Sequence, residues 1–255
     1  MKKFFAGMLV LLFAFFVFRP DFADAASTAI DGRAGKVSVY LSTKDQGIYK
    51  FEVKRGNQVR HYDVFKGKNQ FNLTFGNGDY TFTLYRSGDG KRYNIQSRRE
   101  ESVRLSHSTA PYLHSTQNVS IDSATVKLAK TLSRSSYSST QQALVTSRHL
   151  NKTISYDYKK LTKLSTTYLP NNTNTLKMKR GICYDFASLN AALLRKQGIP
   201  TRLVMGTAKG VDGYHAWNEV YVDKKWRILD VTRDVTEKRA TAFRTASDYR
   251  ADTIY

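Results

Sequence analysis

GICYDFASLNAALLRKQGIPTRLVMG, Gly181 to Gly206, is the stretch on which the reading of this chain turns. Phe186, Leu189, Ala192 or Leu193, and Lys196 fall on one stripe at helical spacing, which predicts a helix of about 15 residues from Cys183. Gly198 stands where a left-handed C-terminal cap belongs, and Pro200 follows it. TRLVMG, Thr201 to Gly206, then reads as a buried strand. Cys183 is the only cysteine in 255 residues. It therefore has no internal disulfide partner, and it sits at the head of the helix.

That position prepares a nucleophile. A helix N-terminus presents unpaired backbone N–H groups and partial positive charge, which favour a thiolate. The same N–H groups can stabilise an oxyanion on a substrate carbonyl. Gly181, two residues earlier, allows a tight turn without a side chain in the way. The competing reading is a small buried hydrophobe.

A thiol nucleophile needs a base, and the base needs an orienting acceptor. HAWNEVYV, from His215, and WRILDVT, from Trp226, predict the two arms of a hairpin around Asp223-Lys224-Lys225. His215 opens the first arm and Asp230 lies toward the far end of the second. A two-residue Lys224-Lys225 loop would set Asp234 opposite His215, whereas a longer loop or a bulge moves the pairing toward Asp230. Counting admits a Cys-His-Asp triad without fixing its third member.

These segments together resemble the transglutaminase-like superfamily. Gly181–Ala187 resembles its G-x-C-x-D-[FL]-[AS] motif, Arg195–Arg202 carries the Gly-Ile-Pro-x-Arg run, and H-A-W-x-E-V and W-x-x-x-D-x-T follow in order. The resemblance spans about residues 121–235. It implies an α+β, papain-like core with a helix packed on an antiparallel sheet. It makes Cys183 the nucleophile, His215 the base and Asp230, rather than Asp234, the orienting acid. It gives Asp185 and Arg202 structural roles, as partners of one another or as a helix cap. Trp217 and Trp226 are expected in the core or the cleft wall. Glu219 shares strand parity with His215 but is not expected to take part in catalysis. Tyr156, in ISYDY, is a weak candidate for a second oxyanion donor. The implied chemistry is acyl transfer through a thioester on a protein or peptide amide, resolved by an amine (crosslinking) or by water (protease or amidase). No cofactor or metal is implied.

Upstream of this core the pattern changes. KVSVYLS, NQFNLTF and YTFTLYR alternate with period two, with GNGD at Gly76–Asp79 and SGDG at Ser87–Gly90 between strands. IYKFEVK, QVRHYDVF and RYNIQS complete six or seven short strands. They predict a small all-β sandwich of immunoglobulin or fibronectin type over 34–106. His61 on one strand reads as a surface histidine rather than a ligand. The polar stretch SHSTAPYLHSTQNVS reads as a linker at 107–120, followed by the catalytic domain at 121–255. In that domain Ile121, Thr125, Leu128 and Leu132 predict one helix. Ser139 with Gln142 suggests a capping box for a second helix to about Leu150. TTYLPNNTNTLKMKRG reads as a polar loop leading to Cys183.

The chain opens with MKKFFAGMLVLLFAFFVF and then Ala23-Asp24-Ala25, the pattern of a cleaved signal peptide over 1–25. Export is therefore expected, and no later segment is apolar enough to span a bilayer. The chain carries 41 bases against 21 acids, a net charge of +20. A field of that size draws polyanions. No nucleic-acid-binding motif is present, so an anionic cell wall or membrane surface is the expected partner. The alternative function is an inactive member of the same family serving binding or adhesion.

Overall fold

The computed structural model describes residues 26–255. The expected leader, 1–25, lies outside the described residues. The chain folds as a mixed α/β protein built on antiparallel sheets.

Seven strands come first: β1 (Ala26–Asp31), β2 (Lys36–Leu41), β3 (Ile48–Arg55), β4 (Gln58–Val64), β5 (Gly67–Asn72), β6 (Gly78–Ser87) and β7 (Asn94–Val103). They form two antiparallel sheets, ordered β1-β2-β5 and β4-β3-β6-β7. The alternation seen in the sequence is the reason the sheets face one another. Val37, Val39 and Leu41 from one sheet meet Tyr49, Phe51, Tyr80, Phe82 and Leu84 from the other in one buried cluster. Phe51 stacks on Phe71 across the gap, with ring centroids 5.4 Å apart. The sheets begin earlier than expected, because β1 pairs along its whole length with β2. Its sequence, ASTAID, has almost no apolar alternation to announce it.

The stretch after the sheets is not a slack tether. Ala110, Pro111 and Tyr112 are buried in a short 3-10 turn, and Asn118 and Val119 are buried beyond it. Ser106 donates its backbone N–H to Arg33 O, and Gln117 donates to Gln70 O. The expected linker therefore packs against the sheets it leaves.

The second part runs α1 (Ser123–Leu132), α2 (Ser139–Thr153), β8 (Ser155–Tyr156), α3 (Tyr158–Leu161), α4 (Asn172–Met178), β9 (Arg180–Gly181), α5 (Cys183–Lys196), β10 (Thr201–Ala208), β11 (His215–Val222), β12 (Lys225–Leu229), α6 (Val231–Thr236) and β13 (Tyr249–Ile254). The capping box of α2 uses Ser138 and Gln141, one residue before the expected pair. Gln142 is buried instead and bonds Leu132 O and Thr146 Oγ1. Within the expected polar loop, α4 forms with Asn171 as its cap. Its sequence, NTNTLKM, buries mainly Asn172 and Thr175 and so has no apolar period to read.

The sheet of this part is antiparallel, ordered β12-β11-β10-β13. Helix α5 lies at its centre and buries Phe186, Leu189, Ala191, Ala192, Leu193 and Leu194 completely or nearly so. It ends as its sequence predicts: Gly198 has φ +79°, and Ile199 N–H returns to Leu194 O. Polar side chains fix its height against the sheet. Asn190 bonds Ser147 Oγ and Asn218 Oδ1, and Asn218 Nδ2 reaches Ala187 O and Arg202 O. Buried amides with every partner in place specify one register where apolar packing alone would tolerate several.

The two parts share a junction. Tyr255 packs against the core of the sheets and against the cluster around Cys183. Arg195, buried at the end of α5, ties together Thr201 O, His114 O and Tyr255 O. No helix among the described residues is long and apolar enough to cross a membrane.

Candidate active site

Cys183 is the first residue of α5 and is 9% exposed. Asp185 makes that placement possible. It is fully buried, and its Oδ2 accepts from Ile182 N–H at 2.9 Å and from Lys160 Nζ at 2.6 Å. Tyr168 donates its hydroxyl to the other oxygen. Asp185 thus caps the helix from within, while Arg202 pairs elsewhere, with Glu219 at 2.8 Å. Of the two structural roles expected for Asp185 and Arg202, only the helix cap is present. Gly181 lies against this carboxylate: a Cβ there would sit 2.7 Å from Asp185 Cβ. The glycine is required by close approach.

His215 opens β11, and the β10–β11 ladder sets it opposite Gly206. Its Nε2 lies 2.8 Å from Asp230 Oδ2, with both side chains buried. A carboxylate only accepts, so the imidazole donates from Nε2 and leaves Nδ1 for the thiol. Burial disfavours the charged imidazole. The hydrogen bond that His215 donates to Asp230, together with the neighbouring Cys183 thiol, outweighs it and raises the His215 pKa to about 9.

The hairpin loop decides which acid meets the histidine. Asp223 and Lys224 both have positive φ, 51° and 60°, the signature of a two-residue type I′ turn. The loop is therefore Asp223-Lys224, one residue earlier than the Lys224-Lys225 loop considered from sequence. Val222 pairs with Lys225 and Asn218 with Leu229. The strand then ends, and Asp230 turns out of the ladder to cap α6, accepting from Arg233 N–H at 3.0 Å. Asp234 is held away by Arg244. Asp230 thus reaches His215 as a helix cap rather than as a strand partner.

Tyr249, which no sequence feature singled out, completes the arrangement. Its hydroxyl donates to Asp230 Oδ2 at 2.9 Å, so that oxygen serves both the tyrosine and the histidine. Burial, and next the negative Asp230, raise its pKa. It arrives on β13, a strand the sequence did not announce. Trp217 is buried, stacks beside His215 at 6.2 Å and meets Tyr249 at a tilt with ring centres 5.0 Å apart. Trp226 pairs with Tyr221 farther along the same sheet face, with the Arg202 guanidinium 3.8 Å from its ring centre.

Tyr156 lies beside the thiol. The parallel pairing of β8 with β9 sets it opposite Gly181. Burial first, then the charges of Cys183 and Tyr158, raise its pKa to about 12, opposed by a hydrogen bond from the Cys183 backbone N–H. The Cys183 amide and the Tyr156 hydroxyl therefore share one small region beside the sulfur.

A cleft of about 310 Å³ opens beside Tyr184, the residue after Cys183, and none of Cys183, His215 and Asp230 lines it. Tyr184, Met205 and Tyr214 line it from the α5 side, and His61, Asp63 and Phe65 line it from β4 and the loop after it. Tyr184 and Met205 also pack in the cluster that contains Cys183. His61, expected at the surface, is exposed and sits 2.9 Å from Glu52. Among the described residues no group of His, Cys, Asp and Glu is arranged to hold a metal ion.

Residues 126–231 match the profile of the transglutaminase-like superfamily. No curated protein sequence matches the chain. Among solved structures, it is similar to a candidate cysteine protease from Cytophaga hutchinsonii, at 17% identity and TM-score 0.45, over 85% of this chain and 77% of that one. It is also similar to red sea bream transglutaminase, at 12% identity and TM-score 0.34, over 82% of this chain and 50% of that one.

Proposed function

We propose, since residues 126–231 match the profile of the transglutaminase-like superfamily, that the chain is an enzyme that transfers acyl groups from protein or peptide amides through a Cys183 thioester. One observation carries this reading: a lone thiol at the head of a buried helix, beside an imidazole whose far nitrogen is held by a buried carboxylate.

His215 Nδ1 takes the thiol proton, and Asp230 steadies the imidazolium that results. The Cys183 sulfur attacks the amide carbonyl, and the carbonyl oxygen becomes an oxyanion. The Cys183 backbone N–H and the Tyr156 hydroxyl are its donors. His215 returns the proton to the departing nitrogen as the C–N bond breaks, which leaves the thioester. An incoming amine or water then gives its proton to His215 as it attacks, and the thiol is released on the same imidazole. Amine and water lead to crosslinking and hydrolysis respectively, and the same three side chains serve both.

The proposal extends to place and architecture. The basic, apolar N-terminus and its Ala23-Asp24-Ala25 end support export, and the net charge of +20 supports action at an anionic cell surface. The strand orders β1-β2-β5 and β4-β3-β6-β7 support an immunoglobulin- or fibronectin-type module in front of the catalytic core.

The deciding experiment supplies a glutamine-rich protein and a labelled primary amine. Label incorporation that disappears in Cys183→Ala identifies a transferase. Ammonia or peptide release without incorporation identifies a hydrolase. Identical behaviour of the chain and Cys183→Ala with every substrate sinks the reading.

A further inference from the structure

The positive charge is not spread evenly through the chain. Residues 123–211 contain 15 bases and only two acids, Asp157 and Asp185. Both acids are already engaged, Asp157 with Arg180 and Asp185 with Lys160. Part of this excess falls on segments that meet at one strand pairing. The pairing of β8 with β9 brings the end of α4 against the start of α3, with Ser155 N–H donating to Lys179 O. Lys152, Lys159, Lys163, Lys177 and Lys179 stand exposed there, and none has an acidic partner among the described residues.

The segments flanking this pairing also leave apolar side chains in the open: Tyr158 at 67% exposure, Leu161 at 47%, Met178 at 46% and Leu164 at 38%. Tyr158, Leu161 and Leu164 recur every third residue, interleaved with Lys159, Lys160 and Lys163. Isolated exposed apolar residues are ordinary, but a group of them rimmed by lysines is a docking feature. Lysine stems are themselves apolar and leave the ammonium free to reach a headgroup.

We propose that this face docks on an anionic lipid bilayer. Rings and leucines would enter the headgroup boundary while the lysines meet lipid phosphates. A purely charged polymer would use the lysines and gain nothing from Leu161, Leu164 and Met178, which is why the bilayer is favoured. The face adjoins the thiol: the Tyr158 ring lies 4.8 Å from that of Tyr156. Docking would hold Cys183 near the membrane plane. This deepens the surface reading given above and rests on it.

The test is co-sedimentation of residues 26–255 with vesicles of phosphatidylcholine, with and without phosphatidylglycerol. Binding is expected only with phosphatidylglycerol. Lys159→Gln with Lys163→Gln should weaken it roughly fivefold per charge, and Leu161→Ser with Leu164→Ser about tenfold. Ile95→Ser, at an exposed position on β7, should leave binding unchanged and controls for general loss of apolar surface. All variants change exposed side chains, and circular dichroism checks that they fold. Absence of binding overturns the proposal. So does binding that the leucine variants leave intact and that inorganic polyphosphate abolishes, which would make the face a polyanion site. Cys183→Ala should bind like the parent, and cell fractionation reads the surface location separately. Failure of the docking face is thereby distinguished from failure of the surface or acyl-transfer readings.

Discussion

Asp230 Oδ2 lies 2.8 Å from His215 Nε2, yet no strand ladder pairs the two residues. In the observed register a continued ladder would bring Thr232 opposite the histidine. Asp230 reaches it only because β12 stops at Leu229 and the chain turns into α6. The carboxylate holds Arg233 N–H with one oxygen, and His215 and Tyr249 with the other.

Asp230→Asn keeps the cap but removes the negative charge. The hydrogen bond to Asp230 is the first influence raising His215, so the imidazole pKa should fall from about 9. A titration of the ring by NMR measures this directly. Turnover should fall by about 10²-fold or more, as expected when a base loses its orienting acid.

Tyr249→Phe removes one of the two donors on Asp230 Oδ2. Turnover should fall roughly fivefold with KM unchanged. The basic limb of the pH profile should move upward, because Asp230 then carries more of its charge toward His215. A change in thermal stability with an unmoved pH profile would reduce Tyr249 to a packing residue.

The His215 interaction also sets a pH dependence of stability. Its folded pKa, about 9, lies above its unfolded value of about 6.5. The stabilisation is therefore fully present below about pH 6.5 and is lost as pH rises through 9. Urea unfolding at pH 6, 7.5 and 9 should show decreasing stability, and His215→Gln should flatten that slope.

Gly181→Ala places a methyl group 2.7 Å from Asp185 Cβ. The carboxylate must move, and it carries Ile182 N–H, Lys160 and Tyr168. A loss of about 1–3 kcal/mol is expected from overpacking, visible as a lower midpoint in thermal unfolding. Activity should fall further than stability predicts, because the same carboxylate sets the entry of α5.

Phe65 stands on the far wall of the cleft, in the N-terminal module. Phe65→Ser should raise KM for a protein substrate roughly five- to tenfold while kcat stays within about twofold. Equal kinetics for the variant and the parent would remove the N-terminal module from substrate contact.

The sequence by itself determined the elements whose signals are local. Period-two alternation announced the strands that bury Val37, Phe51 and Phe82. The stripe from Phe186 to Leu193, closed by Gly198, announced α5 and put a lone thiol at its head. The four motifs in order carried the resemblance that joined Cys183, His215 and Asp230. What sequence left open was long-range or apolar-poor. β1, α4 and β13 bury too few apolar side chains to show a period. The hairpin register depended on one turn residue: moving the two-residue loop by one position shifts every cross-strand partner after it by two, from Asp234 to Thr232 opposite His215. Tertiary structure alone decided that Asp230 comes to His215 as a helix cap, and that Tyr249 arrives on an unannounced strand. It alone set Lys160 and Tyr168 beneath the cap of α5. The physical reason is common to these cases: a polar contact between distant residues leaves no period in the chain, and only the packing of the elements that carry them brings the two atoms within reach.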